Sequence, residues 1–85
     1  MKNSGGKAGP IVQDVGFERI VYSLTEVDGE YGLSVCCQNS GEFVEVNRIT
    51  DDIEVAEKIK NLFAEHTVFP ANVFEILDDL LAEGI

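Results

Sequence analysis

The hydrophobic pattern of this chain changes its period once, between Ile49 and Ile53. Before this point, apolar residues alternate with polar ones, which is the pattern of half-buried β-strands. After it, apolar residues recur with the spacing of an amphipathic helix. Thr50, Asp51 and Asp52 lie at the change and carry side-chain oxygens that can cap a helix. The sequence therefore predicts strands before this point and helices after it, as in an α+β protein.

The first two alternating runs, Phe17–Val27 and Tyr31–Gln38, are predicted to form a β-hairpin. Asp28 and Gly29 separate them, and this dipeptide favours a type I′ turn because both of its residues tolerate a positive φ. A two-residue turn at this place fixes the register of the two strands. The predicted pairs are all apolar: Leu24 with Leu33, Tyr22 with Val35, and Ile20 with Cys37.

A third alternating run, Glu42–Ile49, follows the turn-forming residues 39–41. A loop at Ser40 and Gly41 would keep the apolar residues of the third strand on the same face of the sheet. The predicted pairs are Cys37 with Val44 and Val35 with Val46. On the opposite face, this register places Val21, Cys36 and Glu45 in one row and Phe43 in another. That face is predicted to be solvated, or alternatively to be an interaction surface anchored by Val21 and Phe43.

The first helix is predicted from about Asp52 to His66, with Asp51 as its N-cap and Glu54 three residues later. At about 100° per residue, its apolar residues share one arc, which is predicted to face the sheet. A second helix is predicted from about residue 70 or 71 to residue 83, because Pro70 suits a first turn. The predicted fold is α+β: a three-stranded antiparallel β-meander with a C-terminal α-helical hairpin packed on one face (βββαα).

The chain has room for one domain, since 85 residues build a single modest core. Residues 1–16 are predicted to be a flexible N-terminal tail, and residues 17–85 a single α+β domain. Within the tail, residues 11–16 could add a short extended segment or remain a linker. No apolar run is long enough to span a bilayer and no signal peptide precedes the domain, so that a cytoplasmic location without membrane contact is expected.

The charge of the chain is strongly acidic and unevenly distributed. The formal net charge is −10, and because residues 1–16 carry +1, residues 17–85 carry −11. Such a surface repels nucleic acid backbones, so direct nucleic acid binding is not expected. Solubility explains much of this charge, and a basic protein partner is the functional alternative.

The residues that could carry chemistry are few. Cys36 and Cys37 are adjacent, and neighbouring side chains of a strand point to opposite faces, so the two thiols cannot share a metal ion. His66 is the one histidine, and structural zinc sites need four Cys or His ligands. Burial would make a pair of Cys37 and His66 inert. The sequence therefore predicts no catalytic residues, no metal and no cofactor, and a protein that is not an enzyme.

The second helix is the predicted interaction surface. It contains no basic residue, and acidic residues lie in its last turns, where they oppose the helix dipole. Compensation by Lys58 or Lys60 is one interpretation, and an acid-rimmed apolar edge that binds a partner is the other. The candidate surface residues are Phe74, Asp78, Leu81 and Glu83.

These features predict a small non-enzymatic interaction or regulatory module whose unidentified protein partner is basic. A homodimer formed through the same helices is a further expectation. The alternative function is that of an acidic nucleic-acid mimic, which would occupy a basic DNA-binding protein.

Five short segments resemble, in their order, a family of small proteins of unknown function from anaerobic Gram-positive bacteria. They are Ile20–Leu24, Tyr31–Val35, Ile49–Asp51, Phe69–Pro70 and Asp78–Leu81. The resemblance covers about residues 18–82. It implies a bacterial cytosolic protein and supplies no catalytic residues.

Overall fold

A computed structural model describes residues 9–84 as a four-stranded antiparallel sheet with two helices packed on one face. The predicted α+β class is confirmed. The strands follow one another in the sheet in the order of the sequence. The elements are β1 (Ile11–Val15), β2 (Glu18–Val27), β3 (Glu30–Cys37), β4 (Phe43–Thr50), α1 (Ile53–Glu65), a 3-10 turn (Pro70–Asn72) and α2 (Val73–Ala82).

The sheet has one strand more than the three that the sequence predicted. β1 pairs with β2 from Ile11 opposite Tyr22 to Val15 opposite Glu18. Gly16, with a φ of 61°, begins the two-residue turn between them, as in type II′ hairpins. Alternation over five residues was too short to decide between a strand and a linker. The sheet thus begins inside the segment predicted to be a tail, of which residues 1–8 lie outside the described residues.

The hairpin of β2 and β3 has the predicted turn and register. Asp28 and Gly29 have φ values of 52° and 81°, as a type I′ turn requires. The three predicted pairs are all present: Ile20 with Cys37, Tyr22 with Val35, and Leu24 with Leu33. Ile20, Tyr22, Leu33, Val35 and Cys37 are buried in the core beneath the helices.

The register of β3 and β4 differs from the predicted one by two residues. Val35 pairs with Val44, and Leu33 with Val46, instead of Cys37 with Val44 and Val35 with Val46. The connection is longer than a Ser40-Gly41 turn, because the N–H of Cys37 donates to the carbonyl oxygen of Glu42 at 2.8 Å. Since side chains alternate with a period of two, a shift of two residues leaves each of them on its predicted face.

A β-bulge interrupts β4 near its end. Between the pairs Leu33–Val46 and Tyr31–Thr50, β3 contributes Gly32 alone, whereas β4 contributes three residues. Arg48, within the bulge, has a φ of 59°. Its guanidinium contacts the carboxylates of Asp28 and Glu30 at 3.0 and 3.5 Å, so the bulge is tied to the β2–β3 turn. The bulge presses the β4 backbone against Gly32, and this position tolerates no side chain.

Helix α1 begins one residue later than predicted. The N-cap is Asp52 rather than Asp51, and its Oδ1 accepts a hydrogen bond from the N–H of Glu54 at 2.9 Å. Thr50 Oγ1 in turn accepts a hydrogen bond from the N–H of Asp52 at 3.1 Å. The oxygen-bearing residues at the change of period therefore cap the helix, as their side chains predicted.

The link between α1 and α2 is anchored to the sheet. Thr67 has a φ of 53°, and the N–H of Val68 donates to the carbonyl oxygen of Phe63 at 3.0 Å, as in a Schellman motif. The hydroxyl of Tyr22 donates to the carbonyl oxygen of Val68 at 2.9 Å. Burial raises the pKa of Tyr22 to about 12, so the hydroxyl keeps its proton. This contact fixes where the chain turns into α2.

Candidate interaction surfaces

Helix α2 has one buried side and one exposed side. Val73 and Leu77 are buried in the core, at 1% and 6% exposure. Phe74 and Leu81 are 61% and 48% exposed, and at helical spacing they share one face with the exposed residue Asp78. Three of the four residues predicted from the sequence therefore lie together on the outward side of α2.

Glu83, the fourth predicted residue, belongs to an acidic row beside this face. It is the C-cap of α2 and follows Glu75 and Asp79 at intervals of four residues. At about 100° per residue, these three exposed carboxylates form a continuous row along the helix. The name "α2 surface" is used below for the two exposed apolar residues, Asp78 and this row.

No described basic side chain neutralises the α2 surface. Among residues 9–84, the ion pairs join Arg19 to Asp14, Arg48 to Asp28 and Glu30, and Lys60 to Glu57. None of them includes a carboxylate of α2. The sequence suggested compensation by Lys58 or Lys60, but Lys60 is buried, at 1% exposure, where it pairs with Glu57.

Lys60 is a buried cation, and this burial was not predicted from the sequence. Its Nζ donates to the carbonyl oxygen of Gly9 at 2.9 Å and lies 3.1 Å from Glu57 Oε1. The side chain therefore joins the segment before β1 to α1. The helical wheel indicated this burial, because Lys60 lies on the arc between the buried residues Ala56 and Ala64.

The free face of the sheet carries a second exposed apolar group. Val12 pairs with Val21, Val21 with Cys36, and Cys36 with Phe43, so that each of the four strands contributes one residue to a single row. This row is called the "outer row" below. The shifted register of β4 creates it, because the predicted register placed Glu45 beside Cys36 and moved Phe43 away. Val12 and Phe43, at its two ends, are 56% and 55% exposed.

The two thiols lie on opposite faces of β3, as predicted from the strand. Both are free; Cys37 is buried and Cys36 is half-buried. Burial raises the pKa of the Cys37 thiol. His66 is exposed at the C-cap of α1. Within residues 9–84, no cluster of three His, Cys, Asp or Glu residues could hold a metal ion.

We therefore expect the two cysteines to react with a thiol reagent at very different rates. In the folded protein at pH 8, Cys36 should be labelled first, and Cys37 should be labelled only in denaturant, because the reactive species is an accessible thiolate. Mass spectrometry of Cys36→Ser and Cys37→Ser, treated side by side, measures both rates. Equal labelling of the two variants would contradict the burial of Cys37.

The fold and these surfaces define a small acidic α+β protein of two layers, with exposed apolar residues on α2 and on the free face of its sheet. Residues 17–83 match the sequence model of a family described as Family of unknown function (DUF6514), and the chain belongs to this family. The predicted resemblance to a family of unknown function is thus confirmed. No curated protein and no solved structure matches the chain. In the described residues, no helix is both long and apolar enough to span a membrane.

Proposed function

We propose that this protein is a non-enzymatic interaction or regulatory module that binds a basic protein partner through the α2 surface. The observation that supports it most is the carboxylate row of Glu75, Asp79 and Glu83 beside the exposed side chains of Phe74 and Leu81. We further expect the protein to act in the bacterial cytoplasm of anaerobic Gram-positive species.

The acidic row lowers the stability of helix α2. Carboxylates four residues apart on a helix repel one another, by roughly 0.2–0.5 kcal/mol per pair. Asp79 and Glu83 also lie at the C-terminal end of α2, where a negative charge opposes the helix dipole by about 0.3–1 kcal/mol at low salt. A cationic partner would reverse both effects, because it would place positive charge beside the row and the helix end.

The exposed apolar residues indicate the shape of that partner. Phe74 and Leu81 are seven residues apart, so that they lie two turns from each other on one face. An amphipathic segment that carries apolar side chains at similar spacing and Lys or Arg beside them would match both features. Aromatic and aliphatic anchors at the centre of such a contact supply most of its affinity, and the charges supply its orientation and its salt dependence.

The test uses a synthetic helical peptide with leucines on one face and lysines on the other, and measures its binding by fluorescence anisotropy. We expect Phe74→Asp to weaken binding at least tenfold, since it removes an apolar anchor from the contact. Phe43→Asp is the matched control, because Phe43 is similarly exposed, at 55% against 61%, and lies on the sheet. Equal affinities of the wild type and Phe74→Asp would overturn the proposal.

A second comparison tests the acidic row. The triple variant Glu75→Gln, Asp79→Asn, Glu83→Gln should weaken binding and flatten its dependence on salt. Its control neutralises three exposed carboxylates elsewhere: Glu26→Gln, Glu45→Gln and Asp51→Asn. Similar losses in both variants would show that net charge alone attracts the peptide, which would contradict a defined α2 surface.

A further inference from the structure

The outer row gives the free face of the sheet an uninterrupted apolar strip across all four strands. Its inner members, Val21 and Cys36, are half-buried, and its end members, Val12 and Phe43, are more than half exposed. The row above it, counted toward the β2–β3 turn, contains the short side chains of Ser23 and Ser34. The surface is therefore apolar along its middle, with Glu45 of β4 in the row above it and Arg19 in the row on the other side.

This face is also poor in net charge, although the chain carries −10. Asp14 and Arg19 lie beside the outer row and form an ion pair at 2.8 Å. The Arg19 guanidinium lowers the pKa of Asp14 through a hydrogen bond and its charge, so that both groups stay ionised at neutral pH. Glu45 adds one negative charge, on the β4 side. Like-charged molecules can approach one another on this face with less repulsion than on α2.

We propose that two copies of this chain pack outer row against outer row about a two-fold axis, as a helix–sheet–sheet–helix sandwich. A two-fold axis brings the same surface of both copies together, so that a continuous apolar strip meets its own equivalent. The α2 surface is a poor place for self-association because two carboxylate rows would face each other. The homodimer expected from the sequence is thereby assigned to the sheet instead of the helices.

The size of the face sets the strength of this contact. Strands about 4.8 Å apart, with about 3.3 Å per residue, give four strands of this length a projected area of roughly 500 Å². This is near the lower limit of stable interfaces, which bury about 600 Å² per partner. We therefore expect a reversible dimer with a dissociation constant on the order of micromolar.

Cys36 offers a direct test of this arrangement, because it is an inner member of the outer row. Packed sheets lie about 10 Å apart, so the two Cys36 Cα atoms of a dimer would be about 10–12 Å apart. That distance is too long for a disulfide, which needs Cα atoms less than about 7 Å apart. The packed contact covers both Cys36 thiols instead, so that a monofunctional maleimide should label Cys36 of the wild type more slowly at high protein concentration than in dilute solution. Phe43→Asp should remove this protection, and equal labelling rates of the wild type at both concentrations would count against the arrangement.

Sedimentation equilibrium of the full chain over a range of concentrations, from about 1 μM to about 1 mM, tests the dimer itself. We expect Phe43→Asp to raise the dissociation constant at least tenfold, and Phe74→Asp to leave it unchanged. Val12→Asp, at the other end of the row, is the second variant in case Phe43→Asp does not fold, and circular dichroism checks both. A wild type that stays monomeric throughout, or a dimer that is lost with Phe74→Asp and kept with both row variants, would overturn the proposal.

Discussion

Gly32→Ala is expected to destabilise the fold by about 3 kcal/mol, more than any surface substitution. A Cβ atom at this position would lie 2.7 Å from the Cα of Asn47 and 2.8 Å from the Oγ1 of Thr25, and it would also overlap the carbonyl oxygen of Val46. Two of these atoms belong to the backbone of the β4 bulge. A retreat of β4 from Gly32 would disturb the backbone pairing of Leu33 with Val46 beside it.

Thermal or urea unfolding measures this effect. For a domain of this size, about 3 kcal/mol lowers the midpoint temperature by more than about 10 °C. Gly9→Ala is the control, because a Cβ atom there meets nothing within 4 Å and Gly9 keeps its carbonyl contact with Lys60. A Gly32→Ala variant as stable as the wild type would mean that the bulge does not press on β3.

Lys60→Met is expected to lower the free energy of unfolding by about 3 kcal/mol, since removal of one partner of a buried ion pair leaves the other charge without compensation. The Glu57 side chain is 20% exposed, and its Oε2 is buried without a hydrogen bond among the described residues. The carbonyl oxygen of Gly9 would lose its ammonium donor as well. Methionine keeps most of the apolar length of lysine, so that the loss reports on the charge more than on packing.

The double variant Lys60→Met, Glu57→Met separates these contributions. With both charges gone, no isolated carboxylate remains, and we expect it to recover at least half of the stability lost by Lys60→Met alone. Lys58→Met, two residues away and exposed, should change the free energy of unfolding by less than about 0.5 kcal/mol. A double variant less stable than Lys60→Met would contradict the coupling between Lys60 and Glu57.

The parts of the fold that were predictable from the sequence are those with strong local signals. The Asp28-Gly29 turn fixes the β2–β3 register, because a two-residue loop leaves no freedom in the pairing. The change of period at Thr50 places the start of α1 to within one residue. In both places, the chemistry of two or three neighbouring residues decides the structure.

The errors arose where distant residues decide the structure. The five-residue connection after Cys37 shifts β4 by two positions from the predicted register, and no single residue of the loop indicates how long the loop is. That shift moves Phe43 beside Cys36 and thereby creates the outer row. The sequence did not predict the burial of Lys60, because a lysine is seldom buried and its partner Gly9 lies 51 residues away in the chain.

The four surface residues of α2 were predicted from the helical wheel. The helical wheel separates Phe74 and Leu81 from the buried residues Val73 and Leu77, and the structure has the same division. The same wheel places Glu83 in a row with Glu75 and Asp79, beside the Phe74 face and not on it. The binding role proposed for this surface stays a prediction.

The most direct test of that role is a titration of the ¹⁵N-labelled protein with the basic amphipathic peptide, followed by amide chemical shifts. We predict that the largest shifts fall on the amides of residues 73–84, and that they weaken as salt is added. The amides of the outer row serve as the internal reference, because they belong to the sheet and the side chains of these residues point away from the helices. Shifts spread evenly over the acidic surface, or centred on the sheet, would contradict binding through α2.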